Sequence, residues 1–132
     1  MTVADRMTPA PVTVAPDAGL IEIRALFRTH GFRHVPVVAD GRLVGVVSDR
    51  DVLAALSPFL DTPAETHRDV DTLAASAADL MTPDPRTVAT SAPLADAARL
   101  MVEAGVSSVL VVDGEALVGI VTALDVLQSS AA

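Results

Sequence analysis

Displaced by 74 residues, the chain falls on itself. Met7-Thr8-Pro9 meets Met81-Thr82-Pro83, Leu43-Val44-Gly45 meets Leu117-Val118-Gly119, and Asp51-Val52-Leu53 meets Asp125-Val126-Leu127. Over positions 4–53 and 78–127, 23 of 50 residues are identical without a gap, a register that composition alone does not hold. Two copies make a tandem duplication and not a solenoid, whose stacked units need three or more repeats to bury a core. Each copy has one apolar face to bury, so the two are expected to pack on each other about a pseudo-two-fold axis. The repeat sets the expected boundaries: a first unit over 1–57, a connector over 58–75, and a second unit over 76–132. Ser57-Pro58 and Thr62-Pro63 break the connector, and a short helix is expected over 66–78.

Each copy reads as β-α-β-β-α, which makes the fold class α/β (α+β). An extended piece (Val12-Thr13-Val14; Thr87-Val88) follows a segment broken by proline. The next stretch has helical period, with Leu20, Ile23, Leu26 and Phe27 on one side in copy one and Leu94 to Ala104 in copy two, where Pro93 suits the first turn. Gly31 and Gly105 stand where a helix end wants a left-handed residue. Two β-branched runs follow in each copy, Val35–Val38 with Leu43–Val47 and Val109–Val112 with Leu117–Val121. Asp40-Gly41 and Asp113-Gly114 supply hairpin turns between them, and a second helix starts near Asp49 or Ala123.

Composition narrows the partners. Nine Arg, no Lys and seventeen acids leave a net charge of −8, which opposes nucleic-acid phosphates and anionic lipid. Without Tyr or Trp there is no base-stacking platform, so no nucleic-acid partner is expected. No apolar run approaches the roughly 20 residues of a membrane-spanning helix, and no charged leader with an apolar core opens the chain, so the expected setting is cytoplasmic with no membrane partner. Zero cysteines exclude disulfides, thiolate metal sites and cysteine nucleophiles. His30, His34 and His67 are too scattered for a metal site. Neither a phosphate-binding glycine loop, a nucleophile elbow nor a paired acid arrangement is present, so no enzyme is expected.

One constellation carries chemistry. Each second strand ends in glycine, two apolar residues, a hydroxyl, two residues and an acid: Gly45-Val46-Val47-Ser48-Asp49-Arg50-Asp51 and Gly119-Ile120-Val121-Thr122-Ala123-Leu124-Asp125. A strand-to-helix turn can offer amides and a hydroxyl to a phosphate, and an acid one turn on can accept from a ribose diol. The same spacing also makes a capping box, in which the hydroxyl caps the helix and the acid reaches back. From the residues of one copy alone, both readings stand.

In order and double occurrence these motifs resemble a tandem pair of CBS (cystathionine-β-synthase) domains, a Bateman module. The resemblance rests on the Met-Thr-Pro openings, the extended Val-Thr-Val, Gly31 to Val38, the Asp-Gly turn and the two glycine-to-acid segments, and it covers roughly residues 3–57 and 76–128. It implies a regulatory sensor of adenosyl ligands (AMP, ADP, ATP or S-adenosylmethionine) held in a cleft between the two units, with no cofactor required. Carried over by position, Asp51 and Asp125 hold the ribose, Ser48 and Thr122 supply hydroxyls, and Thr13 and Thr87 lie near adenine. His34-Val35-Pro36 and Ser108-Val109 line the cleft, and Arg50 serves the phosphate where copy two has Leu124. The chain closes soon after the second copy, so a stand-alone module acting on a separate protein is expected. A ligand-free homodimerisation scaffold and a binder of a non-adenosyl effector are the alternatives.

Two further expectations are quantitative. Residues 4–53 carry six Arg against six acids and residues 78–127 two Arg against seven acids, so an anionic nucleotide should prefer the Asp51 site. Apolar surplus on the helices (Ala95 and Val102 beside the stripe of Leu94, Ala97, Ala98 and Met101; Leu53, Leu56, Phe59 and Leu60 in copy one) points to a disc-like homodimer packed through helices.

Overall fold

The computed structural model describes residues 1–31, 33–56 and 75–131. In chain order its elements are α1 (Val3–Arg6), β1 (Thr8–Pro9), α2 (Leu20–His30), β2 (His34–Ala39), β3 (Arg42–Ser48), α3 (Asp49–Leu56), α4 (Ala77–Leu80), β4 (Thr82–Pro83), β5 (Thr87–Ala89), α5 (Leu94–Ala104), β6 (Ser108–Asp113), β7 (Ala116–Thr122) and α6 (Ala123–Ala131). Phe59, Leu60 and most of the helix expected over 66–78 lie outside the described residues; the part described becomes helical only at Ala77.

The compact units are offset from the repeats. One holds residues 12–84 and the other residues 1–11 with 85–132, so each copy's opening folds with the body of the other copy. They are called here the copy-one unit and the copy-two unit after their bodies. In the copy-one unit β2 and β3 form an antiparallel hairpin, and β4 adds to the outer edge of β3 with Val46 opposite Thr82 and Gly45 opposite Pro83. The copy-two unit repeats this with β1 on β7, Thr8 opposite Ile120 and Pro9 opposite Gly119, and adds β5 parallel to β6. A proline can end such an edge strand because no further neighbour needs its missing amide.

Close approach explains why a glycine stands in each Leu-Val-Gly. A Cβ on Gly45 would overlap Met81 Sδ and lie 3.0 Å from the Thr82 carbonyl oxygen. One on Gly119 would lie 2.5 Å from Met7 Sδ and 3.1 Å from the Thr8 carbonyl oxygen. The methionine of one copy is therefore seated on the glycine of the other, and both motifs belong to one joint.

Each unit has its own core. Leu20, Ile23, Val35, Val37 and Val47 are wholly buried with Val14, Ala18, Val52 and Ala77 in the copy-one unit. Val3, Leu94, Ala97, Met101, Val109, Val111 and Val121 do the same in the copy-two unit. Val3 and Ala77 come from the exchanged openings, so these segments are part of the cores they join. A fully buried side chain of this size is worth about 1.5–3 kcal/mol.

Two local expectations need correction, and a third is refined. Val12-Thr13-Val14 makes no strand: Val14 forms a single parallel bridge to Val37, donating to the Pro36 carbonyl and accepting from Val38 N–H. Pro93 stands next to the first turn of α5, as expected, as its N-cap with extended ψ. The second hairpin turns at Gly114-Glu115, since Asp113 still belongs to β6 and pairs with Ala116. Asp40 and Gly41 both have positive φ, as a type I′ turn requires, whereas Gly114 alone does in copy two. Both turn pairs thus sit 74 residues apart, which is why the repeat runs without a gap. Gly31 and Gly105 end α2 and α5 in the left-handed conformation, as expected.

Candidate functional site

At the end of β3 the chain passes straight from Ser48 into α3. Ser48 N–H donates to Asp51 Oδ2 at 2.8 Å and Asp51 N–H donates to Ser48 Oγ at 3.1 Å. The copy-two turn matches it: Thr122 N–H donates to Asp125 Oδ2 at 2.8 Å, and Asp125 N–H donates to Thr122 Oγ1 at 3.2 Å. The hydroxyls differ. Thr122 Oγ1 also donates to Asp125 Oδ2 at 3.0 Å, whereas Ser48 donates to no acceptor among the described residues.

Both acids therefore cap their helices. This does not exclude a ligand, because each box engages Oδ2 and leaves Oδ1 without a hydrogen bond among the described residues. The cap holds the carboxylate in one orientation and keeps one oxygen available, which is what recognition of a diol requires. The amides of the turn are less available than expected for a phosphate. Asp49 N–H donates to the Arg33 carbonyl at 2.9 Å, Ala123 N–H to the Ser107 carbonyl at 2.9 Å, and the Asp51 and Asp125 amides are held by the boxes. An anion at the copy-one turn is left with the Arg50 amide, the Ser48 hydroxyl and the exposed Arg50 guanidinium.

Strand pairing brings further candidates to the same end of each sheet. His34 lies opposite Ser48, and Ser108 opposite Thr122. Thr87 sits beside Leu110 on the neighbouring parallel strand, and Thr13 precedes the bridge at Val14. His34, Thr13 and Arg50 are exposed; Ser48, Asp51, Thr87, Ser108, Thr122 and Asp125 are half-buried. Val35 and Val109 are part of their units' own cores and Pro36 is buried, so these three shape the strand instead of presenting polar groups.

Among the described residues two more boxes have the same spacing. Thr2 N–H donates to Asp5 Oδ2 at 2.7 Å and Ser76 N–H to Asp79 Oδ2 at 2.9 Å, capping the four-residue helices α1 and α4. Among the described residues hydroxyl-x-x-Asp thus caps four helices, and placement at a sheet end beside His34 or Ser108 distinguishes Asp51 and Asp125. The signal was legible, since all four can be read directly off the sequence.

Hydrogen bonds from the Thr2 backbone and hydroxyl hold the Asp5 carboxyl below its usual 3.8, and those from Ser76 do the same for Asp79. A carboxyl lowered on folding stabilises the fold above its unfolded value and loses that contribution as pH falls through the lowered one. The α1 and α4 caps are therefore expected to hold at neutral pH and to release only below about pH 4. Carboxyl titration by NMR should give midpoints for Asp5 and Asp79 below 3.8; midpoints at or above it would mean that the boxes do not persist in solution.

The exchange of openings also redraws the charge ledger. Among the described residues the copy-one unit carries five Arg and seven acids, and the copy-two unit three Arg and six acids. The contrast of zero against −5 expected from the copies thus shrinks to −2 against −3, because Asp79 and Asp84 fold with copy one and Asp5 and Arg6 with copy two. Only the local difference at the turns survives, Arg50 against Leu124. Among the described residues no group of three or more acids and histidines could hold a metal ion, and no helix is long and apolar enough to cross a membrane.

The CBS domain model matches residues 3–58 and 77–132. The chain belongs to the CBS domain family. Its two CBS domains lie in tandem, and solved CBS pairs share the fold. The structure of CBSX2 in complex with AMP superposes with a TM-score of 0.83 at 35% identity, covering 98% of this chain and 96% of that one. The CBS domain pair of protein MJ0100, in complex with 5′-methylthioadenosine and S-adenosyl-L-methionine, gives 0.78 at 25% identity, covering 99% and 96%. Among curated relatives, chloroplastic CBSX2 of Arabidopsis thaliana is 33% identical over 98% of this chain and 63% of its own length. An inosine-5′-monophosphate dehydrogenase of Korarchaeum cryptofilum is 34% identical over 87% of this chain but only 21% of its own length. The chain therefore spans between about a fifth and two thirds of these relatives, and the match to the dehydrogenase covers only a minor part of that enzyme.

Proposed function

We propose that this CBS pair is a regulatory module, without catalytic activity of its own, that binds an adenosyl nucleotide (AMP, ADP, ATP or S-adenosylmethionine) and signals its occupancy to a separate protein. The reading places it in the cytoplasm, as a homodimer, with no resident cofactor. The observation that carries it is the pair of carboxylates Asp51 and Asp125, each fixed through Oδ2 with Oδ1 open, at the sheet end that also holds His34 or Ser108. CBS-pair relatives solved with AMP, or with methylthioadenosine and S-adenosylmethionine, supply the ligand class. Ser48, Thr122, Thr13 and Thr87 complete the polar set, and Arg50 gives the Asp51 site the cation that Leu124 denies the other. Charge-assisted hydrogen bonds are the stronger kind, so a phosphate-bearing ligand is expected to favour the Asp51 site.

A second reading has support of its own. The same box caps the four-residue helices α1 and α4, and on this reading Asp51 and Asp125 serve only as caps in a dimerisation scaffold. A thermal-shift panel of AMP, ADP, ATP, S-adenosylmethionine and NAD separates the two. Ligand at 100 times its Kd stabilises by about 2.7 kcal/mol, which for a domain of this size raises Tm by on the order of 10 °C. At least one adenosyl compound is expected to do so; a flat panel would leave the scaffold or a non-adenosyl effector.

A further inference from the structure

Met7 and Met81 close the two joints through their sulfur atoms. Both are half-buried, and each packs on the core of the unit it joins, Met7 in the copy-two unit and Met81 in the copy-one unit. Each Sδ lies so near a glycine of that body that a methyl group there would overlap it. The strands beside them add little. β1 and β4 are two residues long, exposed, and end in a proline with no amide to donate. The thioether is therefore the apolar anchor of each opening.

The chain has no Cys, Trp or Tyr, so its four thioethers are the side chains a peroxide oxidises most readily. The fold grades them. Met1 is 65% exposed, with Arg6 Nε–H donating to its sulfur at 3.4 Å, and an oxygen there displaces no packing. Met101 is 6% exposed inside the copy-two core, out of an oxidant's reach while the protein is folded. Met7 and Met81 stand between these extremes, partly accessible and also committed to the structure. An oxygen added to either sulfur has no room on the glycine side, where even a Cβ would overlap. Turned towards the core, the new dipole meets apolar groups and costs free energy unless a donor reaches it. The remaining course is for the side chain to swing out, which leaves its seat empty.

We propose that Met7 and Met81 are a pair of reversible oxidation sites, at which a hydroperoxide undocks the exchanged openings and a methionine sulfoxide reductase restores them. The thioether sulfur attacks the peroxide, an S–O bond forms as the O–O bond breaks, and the peroxide leaves as an alcohol, or as water from hydrogen peroxide. The sulfur is oxidised by two electrons. In the return step a dithiol becomes a disulfide and the oxygen leaves as water. None of the residues assigned to the nucleotide takes part.

Hydrogen peroxide followed by peptide mass spectrometry tests the order of reaction. Met1 should oxidise first, Met7 and Met81 next, and Met101 last. Once Met7 and Met81 are oxidised, Tm should fall by about 5 °C or more. Two buried amides report the joints themselves: Val3 N–H, which donates to the Ala92 carbonyl at 2.9 Å, and Ala77 N–H, which donates to the Ala18 carbonyl at 2.8 Å. Their hydrogen exchange should quicken by about ten-fold or more, and sulfoxide reductase should reverse both changes. M7L/M81L keeps the volume of the anchors and should hold its Tm through the same treatment, although Met1 still oxidises. M7Q and M81Q, which put a polar group at the same seat, should lower Tm without any oxidant. Oxidation of Met101 ahead of Met7 and Met81, sulfoxides at both joints with Tm and exchange unchanged, or an equal loss of Tm in oxidised M7L/M81L would overturn the proposal. Parental Tm in both glutamine variants would do the same.

Discussion

Asp51→Ala combined with Asp125→Ala is expected to abolish adenosyl binding while leaving a folded protein. Each carboxylate loses the Oδ1 that would accept from a ribose diol, and hydrogen bonds to a charged group are worth about 1.5–3 kcal/mol each. Loss of one such diol contact is about 3 kcal/mol or more, at least a hundred-fold in Kd. The cost to the fold is that of a helix cap, about 0.5–2 kcal/mol per site. The single variants apportion the sites. Asp51→Ala should lose most of the affinity for AMP or ATP, because that turn holds Arg50 and a Ser48 hydroxyl that donates to no acceptor among the described residues, and Asp125→Ala should lose less. Calorimetry reads both. Parental affinity in the double variant would reduce Asp51 and Asp125 to caps, and a loss confined to Asp125→Ala would reverse the order of the sites.

Gly45→Val and Gly119→Val are each expected to destabilise strongly, and through the other copy's methionine. At Gly45 the added Cβ meets Met81 Sδ and the Thr82 carbonyl, and at Gly119 it meets Met7 Sδ and the Thr8 carbonyl. The thioether can swing aside but the backbone oxygen cannot without unpairing β4 or β1. Overpacking of this kind costs about 1–3 kcal/mol. A diagnostic pair follows: Met81→Ala should recover part of the loss in Gly45→Val and none in Gly119→Val. Chemical denaturation measures all four proteins. Equal rescue of both glycine variants would contradict the exchanged joints.

Most of the secondary structure was legible because it rests on local rules. The 74-residue period, the helical spacing from Leu20 to Phe27, the left-handed ends at Gly31 and Gly105 and the β-branched hairpins need no knowledge of distant neighbours. The capping geometry at Ser48–Asp51 and Thr122–Asp125 was written in four residues each and appears as written. Where expectation failed, one local signal had been weighed against the wrong competitor. Asp113-Gly114 looked like a turn by composition, but pairing of Asp113 with Ala116 moved the turn one residue on.

The sequence by itself determined that there are two like α/β units, which positions are equivalent, and which hydroxyls and acids stand at the strand-to-helix turns. Tertiary structure alone decided which opening belongs to which body. Met7-Thr8-Pro9 fits Gly119 and Met81-Thr82-Pro83 fits Gly45, yet the two openings share Met-Thr-Pro and the two bodies Leu-Val-Gly, so nothing in either motif names its partner. The choice depends on where the chain carries each opening after it leaves a sheet, a long-range property to which periodicity and turn chemistry are blind. That choice also moved Asp5, Arg6, Asp79 and Asp84 between units and, among the described residues, erased most of the charge contrast the copies had suggested. Net charge is a sum over whatever folds together, and only the folded chain defines that set.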